Sequence, residues 1–287
     1  MRILHIIPRI GGLTGAELYV SDLASIQAED HDVAIYATEV VKGKTLDNLY
    51  SHNVEIIDDL DDRFDVVHAH QAKSAMLGSL LDKPVVQTVH SELFPSLEYP
   101  LVHKNILHYI CVRPTVQDYV ATMVPEDMTS VIYNGIDENR FYEVDYTPEK
   151  KPTVLFAGPN DYLRKNAIQT LVERAEKDEI LLILVGRGQD TNSKNIISFP
   201  EMPSIETITQ RVDQTASVML GRTTIEGWLC GKPGIVFVVD KEGEIQYQDI
   251  HPAPHDITPF TLTHMYSAVM LVYEYLLTKK LYAHRSN

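Results

Sequence analysis

The chain has 287 residues, 44% hydrophobic and 23% charged, with a formal net charge of −15; this is a globular composition, long enough for one large or two ordinary domains. So acidic a balance argues against a nucleic-acid partner, which needs clustered Lys and Arg, and against anchoring on an anionic membrane. The two cysteines, Cys111 and Cys230, are far apart, which excludes a disulfide framework or a zinc spacing and points to a reducing, cytoplasmic setting.

No uncharged stretch is long enough to span a bilayer, and Met1 to Pro8 is too short an apolar run for a signal peptide. That run predicts a strand instead. Gly11-Gly12-Leu13-Thr14-Gly15 reads as a glycine-rich loop, and Ala16 to Gln27 as a helix with Tyr19, Leu23 and Ile26 at helical spacing. Strands are expected at 33–37, 54–57, 65–70 and 84–90, and helices at 73–81 and 114–123. Residues 104–111 read as helix and strand, and Ser130 to Gly135 closes the first half. The polar stretch 143–152 reads as a linker.

The pattern then restarts. Strands are expected at 153–157, 180–185, 195–199 and 216–220, and helices at 167–177 and 204–212. Gly158 to Asn166 and Gly186-Arg187-Gly188 read as loops after strand ends, and 261–281 as a final amphipathic helix. Strands alternating with helices predict parallel sheets covered on both faces. The expected fold is α/β, two Rossmann-like doubly wound domains facing across a cleft. The expected division is residues 1–148, 149–260, and a terminal segment 261–287 packing back toward the first domain.

Gly221 to Pro233, GRTTIEGWLCGKP, is the most informative stretch. It predicts a tight turn at Gly221, a helix capped by Thr223 or Thr224, Glu226 in the first turn, and a stop at Gly231-Lys232-Pro233. A helix start offers backbone N–H groups to phosphate, and a glutamate just inside it suits sugar hydroxyls. A diphosphate on the threonines with its ribose on Glu226 follows. The same Thr-x-x-Glu pattern is also an ordinary capping box. His68 and His70 alternate on one strand and share a face, but no acidic or cysteine third ligand stands at tight spacing, so no metal site is expected. Gly11-Gly12 lacks the first glycine of a dinucleotide fingerprint, since Ile10 stands there, which counts against a nicotinamide enzyme.

In this order, the motifs resemble those of the GT-B retaining glycosyltransferases, family 4 in particular. Gly11-Gly12 with Glu17 is similar to the family's first loop, and Asp65 to His70 to its fourth strand. Thr88-Val89-His90 is similar to its strand ending in a histidine near the transferred sugar. Val131 to Asp137 with Phe141, Arg164-Lys165-Asn166, Leu184 to Gly188, and Glu226 to Pro233 continue the likeness over most of the chain. The resemblance implies catalytic roles for His90, Lys165 and Glu226. It implies donor contacts from Gly11, Gly12, Arg164, Lys165, Gly186, Arg222, Thr223, Thr224 and Glu226. It further implies a metal-independent hexosyltransferase with no cofactor, taking a nucleoside-diphosphate sugar, GDP-mannose before UDP-sugars. The partners are the donor and a glycan or other hydroxyl acceptor, without nucleic acid or a membrane span, and a homodimer stays open.

Two positions depart from the family. The first of its paired glutamates falls on Val218, inside the predicted strand, and Pro159 replaces an arginine. These departures favour one other reading, a nucleotide-sugar-binding subunit without turnover; a nucleotide-sugar epimerase of the same fold is the remaining alternative, and the lost glutamate loop counts against it because an epimerase needs acid and base carboxylates around the sugar.

Overall fold

The structure, a computed structural model, describes residues 1–148, 150–191 and 193–285. Glu149, at the expected domain boundary, and Ser286 and Asn287, at the end of the expected terminal segment, lie outside the described residues. The chain divides into two compact units, one of residues 1–135 together with the chain from Leu262 onward, the other Ile136–Thr261.

The first unit runs β1 (Arg2–Ile10), α1 (Gly15–Gln27), β2 (Asp32–Val40), α2 (Lys44–Ser51), β3 (Glu55–Ile57), β4 (Val66–His70), α3 (Ala72–Ser79) and β5 (Val85–Val89). It continues with α4 (Pro95–Glu98), β6 (Ile106–Cys111), α5 (Pro114–Ala121) and β7 (Thr129–Val131). The strands form one sheet in the order β3-β2-β1-β4-β5-β6-β7, every pair parallel. A parallel sheet needs helices on both faces, so its central strands are buried end to end. All five residues of β4 and all five of β5 are buried.

The second unit runs β8 (Thr153–Ala157), α6 (Lys165–Glu176), β9 (Leu181–Val185), β10 (Ile196–Phe199), α7 (Glu206–Thr209), β11 (Gln214–Val218), α8 (Arg222–Leu229), β12 (Gly234–Val239) and β13 (Ile245–His251). Its sheet order is β10-β9-β8-β11-β12-β13, parallel except for β13, which pairs antiparallel with β12. In both sheets the order reverses beside the first strand, between β1 and β4 and between β8 and β11. Ligands of open α/β sheets sit outside the strand carboxyl ends at such reversals.

The last helix, α9 (Leu262–Arg285), belongs to the first unit although it follows the second in sequence. Met265, Val269, Tyr273 and Leu276 recur at helical spacing and are buried in the first unit's core. Each such side chain contributes roughly 1.5–3 kcal/mol of burial.

Four expectations change. Helix α2 was not expected; only Leu46 and Leu49 mark its buried face among polar neighbours. Strand β13 was not expected because it lies on the sheet edge and is almost wholly exposed, so no apolar pattern announces it. Residues 104–111 give a strand without a helix, and the helix expected at 204–212 shrinks to Glu206–Thr209.

Candidate functional site

At the first unit's strand reversal, parallel register places His5 on β1 beside His68 on β4. His68 and His70 alternate along β4, so the three imidazoles share one face and stack, with ring centroids 4.4–5.4 Å apart. All three are fully buried. His5 Nε2 lies 2.7 Å from Gln27 Oε1, and His5 Nδ1 lies 3.1 Å from His70 Nε2. His70 Nδ1 is 3.3 Å from His90 Nε2. His68 is flanked at 2.6 Å by the Tyr273 hydroxyl of α9 and at 2.6 Å by that of Thr88. The spacing of His68 and His70 in sequence showed no third ligand; the sheet supplies His5, 63 positions away from His68.

Removal from water holds these rings neutral. The pKa of His5 falls to about 4 despite its bond to Gln27. Those of His68 and His70 fall well below the usual value, from burial and then from neighbouring rings. His90, half-buried just past β5, falls to about 3, from burial and then from the Arg113 guanidinium.

Glu98, at the end of α4, is 3% exposed and fixes the turns around His90. Its carboxylate accepts the His90 backbone N–H at 2.9 Å and the Gln71 side-chain amide at 3.0 Å. Burial raises its pKa to about 7 against those two bonds and Arg113. Gln71, the residue after β4, has φ 73°, in the left-handed region. A side chain there is strained, which occurs mostly at functional turns. Sequence reading did not single out Gln71 or Glu98. They are 27 positions apart and carry no motif.

Gly11 and Gly12 make a tight loop of their own. Gly11 has φ 99°, and a Cβ on it would lie 2.0 Å from the Val41 carbonyl oxygen. Glu17 is buried and accepts the Gly12 N–H at 2.9 Å, the Thr14 N–H at 3.1 Å and the Thr14 hydroxyl at 2.7 Å. Its carboxylate thus occupies donors that an anion would otherwise use, and it completes a capping box with Thr14 on α1.

In the second unit the loops after β8 and β9 are bound to each other. Gly186 approaches Gly158 so closely that a Cβ would lie 2.1 Å from the Gly158 oxygen. The Asn160 N–H donates to the Arg187 carbonyl, and the Asn160 and Gln189 amides donate to the Gly188 and Gly158 carbonyls. A concavity of about 500 Å³, lined by Gly186 to Asp190 with Ser198, Pro200 and Glu201, opens beside this crossing. Lys165, the first residue of α6, is exposed and makes no ion pair among the described residues. Arg164, next to it, is ion-paired to Asp161.

Helix α8 starts at Arg222 with Gly221 as its cap residue and no side-chain cap. This corrects the expected threonine cap. The Thr223 hydroxyl instead donates to the Ala157 carbonyl at 3.1 Å, which ties the helix start to the end of β8. The Thr224 hydroxyl is 2.7 Å from that of Ser217. The turn's left-handed residue is Met219, φ 57°, rather than Gly221, φ −99°. Val218 ends β11, so no loop precedes this turn to carry a second glutamate. Because α8 starts at Arg222, Glu226 falls in its second turn rather than the expected first; it is buried and receives Arg222 Nε at 2.8 Å one helical turn back. The structure therefore gathers Arg164, Lys165, Gly186 and Thr223 around the carboxyl ends of β8 and β9. Gly11, Gly12 and His90 lie in the first unit.

Two doubly wound, largely parallel sheets with ligand-side loops at both reversals are the GT-B glycosyltransferase architecture. Residues 13–140 match the family model Glycosyltransferase Family 4. No curated protein matches the chain in sequence. A glycosyltransferase from Rickettsia africae ESF-5 is similar in structure, with a TM-score of 0.69 at 14% identity, over 96% of this chain and 98% of that one. HepE of Anabaena, solved in complex with UDP-glucose, gives a TM-score of 0.66 at 15% identity, over 99% and 100% of the two chains. WaaG, a glycosyltransferase involved in lipopolysaccharide biosynthesis, gives 0.51 at 13%, over 96% and 90%. The family match thus spans residues 13–140, less than half of the chain, and over nearly the whole chain the likeness to these glycosyltransferase structures is one of fold. Among the described residues no helix is long and apolar enough to cross a membrane.

Proposed function

We propose that the chain moves a hexose from a nucleoside-diphosphate sugar to a hydroxyl of a glycan or other acceptor, with retention at the anomeric carbon. The observation that carries this reading is the hydrogen-bonded crossing of the Gly158 and Gly186 loops, with a concavity beside it and Lys165 exposed at the start of α6. Backbone approach without side chains, a size suited to a nucleoside, and a free cation at a helix start together suit a nucleoside diphosphate. Lys165 and the first N–H groups of α8 meet the charge that grows on the departing diphosphate, so no metal is required. Glu226, aligned by Arg222, serves the ribose. In the transfer itself the acceptor oxygen bonds to the anomeric carbon as the carbon–phosphate oxygen bond breaks. The hydroxyl proton passes to the departing phosphate, and neutral His90 contacts the transferred sugar.

GDP-mannose and UDP-glucose are the donors to set against each other; the UDP-glucose held by HepE supports the second. Calorimetric titration with GDP, UDP and both sugars, with and without chelator, tests the site. One nucleotide sugar should bind saturably in either condition, and Lys165→Ala should weaken it about tenfold, the value of one charge-assisted contact. No binding by any of the four would remove the donor site. A second reading, a binding subunit without turnover, draws on Pro159 and on Val218 ending its strand. Donor binding with neither transfer nor sugar release would select it.

A further inference from the structure

The rings of His5, His70 and His90 form a chain whose polarity is set at one end by Gln27. Gln27 closes α1 and is fully buried. Its Nε2 lies 3.7 Å from Met270 Sδ, an atom that can only accept, so its carbonyl oxygen is turned to His5 Nε2 at 2.7 Å. A carbonyl does not donate, so His5 carries its proton on Nε2. A neutral imidazole has one N–H, and His5 Nδ1 is therefore a bare lone pair. His70 Nε2, 3.1 Å away, must donate to it. His70 Nδ1 is bare in turn and receives the proton of His90 Nε2 at 3.3 Å. What remains on His90 is an unprotonated Nδ1.

We propose that Gln27, His5 and His70 are positioning residues that hold His90 as its Nε2–H tautomer, so that the ring meets a sugar hydroxyl only as an acceptor through Nδ1. The sugar contact rests on the function proposed above; the tautomer chain does not. Direction passes along the chain only if each ring is neutral, and burial keeps all of them so. The backbone of His90 is held separately, by Glu98. Position and tautomer are thus set by different groups.

The same histidines offer a rival use. One nitrogen each from His5, His68 and His70 lie within 4.8 Å of one another, close enough to hold a metal ion. Yet both ring nitrogens of each of these residues already face a polar atom at 3.3 Å or less. The set contains no carboxylate, so a divalent ion would keep its full charge in a buried site. The hydrogen-bond chain uses the contacts of His5 and His70, and Tyr273 and Thr88 occupy both nitrogens of His68; a metal would break several of these.

Long-range proton–nitrogen correlation spectra of the full chain, labelled with ¹⁵N histidine and recorded at neutral pH, test this directly. His90→Gln identifies the His90 signals. His5, His70 and His90 should each show a protonated, pyrrole-like Nε2 and a pyridine-like Nδ1. Gln27→Met, which removes the carbonyl acceptor, should mix the tautomers on all three rings; Gln27→Glu, which keeps an acceptor oxygen, should leave them ordered. In Gln27→Met, kcat should fall about twofold at constant donor KM, the loss when half the rings hold the wrong tautomer. A protonated Nδ1 on His90 in the unaltered chain overturns the proposal without need of a variant. So do spectra that change on chelation, because the rings would then hold a metal. Ordered tautomers that mix in Gln27→Met with no change in kcat uphold the chain and remove His90 from the transfer step.

Discussion

Glu98→Gln should change how the stability of the first unit depends on pH. The Glu98 carboxyl is raised from 4.5 in the open chain to about 7 in the fold. Between those values the folded state holds a proton that the unfolded state has released. Stability therefore falls as pH rises through this window and levels off above pH 7. At about 1.4 kcal/mol for each tenfold change in proton affinity, the full loss is about 3 kcal/mol. Glutamine has no such proton to lose and can still accept from the His90 N–H, with the Gln71 amide turned to present its oxygen. The variant should match the parent near pH 5 and exceed it by up to about 3 kcal/mol at pH 8. Denaturant unfolding followed by tyrosine fluorescence at several pH values measures the difference. Subtracting one chain from the other cancels the histidines, whose contribution has the opposite sign. A difference that does not vary between pH 5 and pH 8 would refute the account of Glu98.

His5, His68, His70 and His90 all have folded pKa values below 6.5, so their contribution is complete above pH 6.5 and is lost as pH falls. Unfolding near pH 5 should take up about four protons at these rings and release most of one at Glu98, a net uptake of about three from these groups, readable by calorimetry in buffers of different ionisation enthalpy; no net uptake would mean that the rings are not buried neutral. Tyr273→Phe removes the hydroxyl facing His68 Nδ1. It should destabilise the first unit by about 1–3 kcal/mol in denaturant unfolding; no loss would mean that α9 does not seal this core. Gly186→Ala drives a methyl group into the Gly158 carbonyl. It should cost about 1–3 kcal/mol and abolish nucleotide-sugar binding in titration; unchanged binding would mean that the loop crossing does not build the donor site.

Much of this was legible along the chain because local chemistry repeats where strands and helices repeat. The apolar runs Val66–His70, Val85–Val89 and Thr153–Ala157 declared parallel strands, and Gly186-Arg187-Gly188 declared a loop after a strand end. The missing glutamate loop could also be counted out in advance, because its position falls on Val218; the structure ends β11 at that residue rather than at Leu220. Helix α2 and strand β13 could not. One hides two buried leucines among polar residues, and the other is an exposed edge stabilised by pairing with β12. The cap of α8 was misread because Thr223 and Thr224 suit a helix start by type, while their hydroxyls bond β8 and Ser217 instead.

By itself, the sequence determined the two α/β units, the order of their loops and the identity of the cations and glycines that those loops carry. These follow from periodicity and residue type, which act over a few neighbouring positions. Only the tertiary structure decided that His5 joins His68 and His70, that Gln27 and Glu98 govern His90, and that α9 returns to cover the first unit. Those contacts join residues 8 to 205 positions apart. Sheet register and burial create them, and no local pattern in the chain encodes which distant side chains a register will bring face to face.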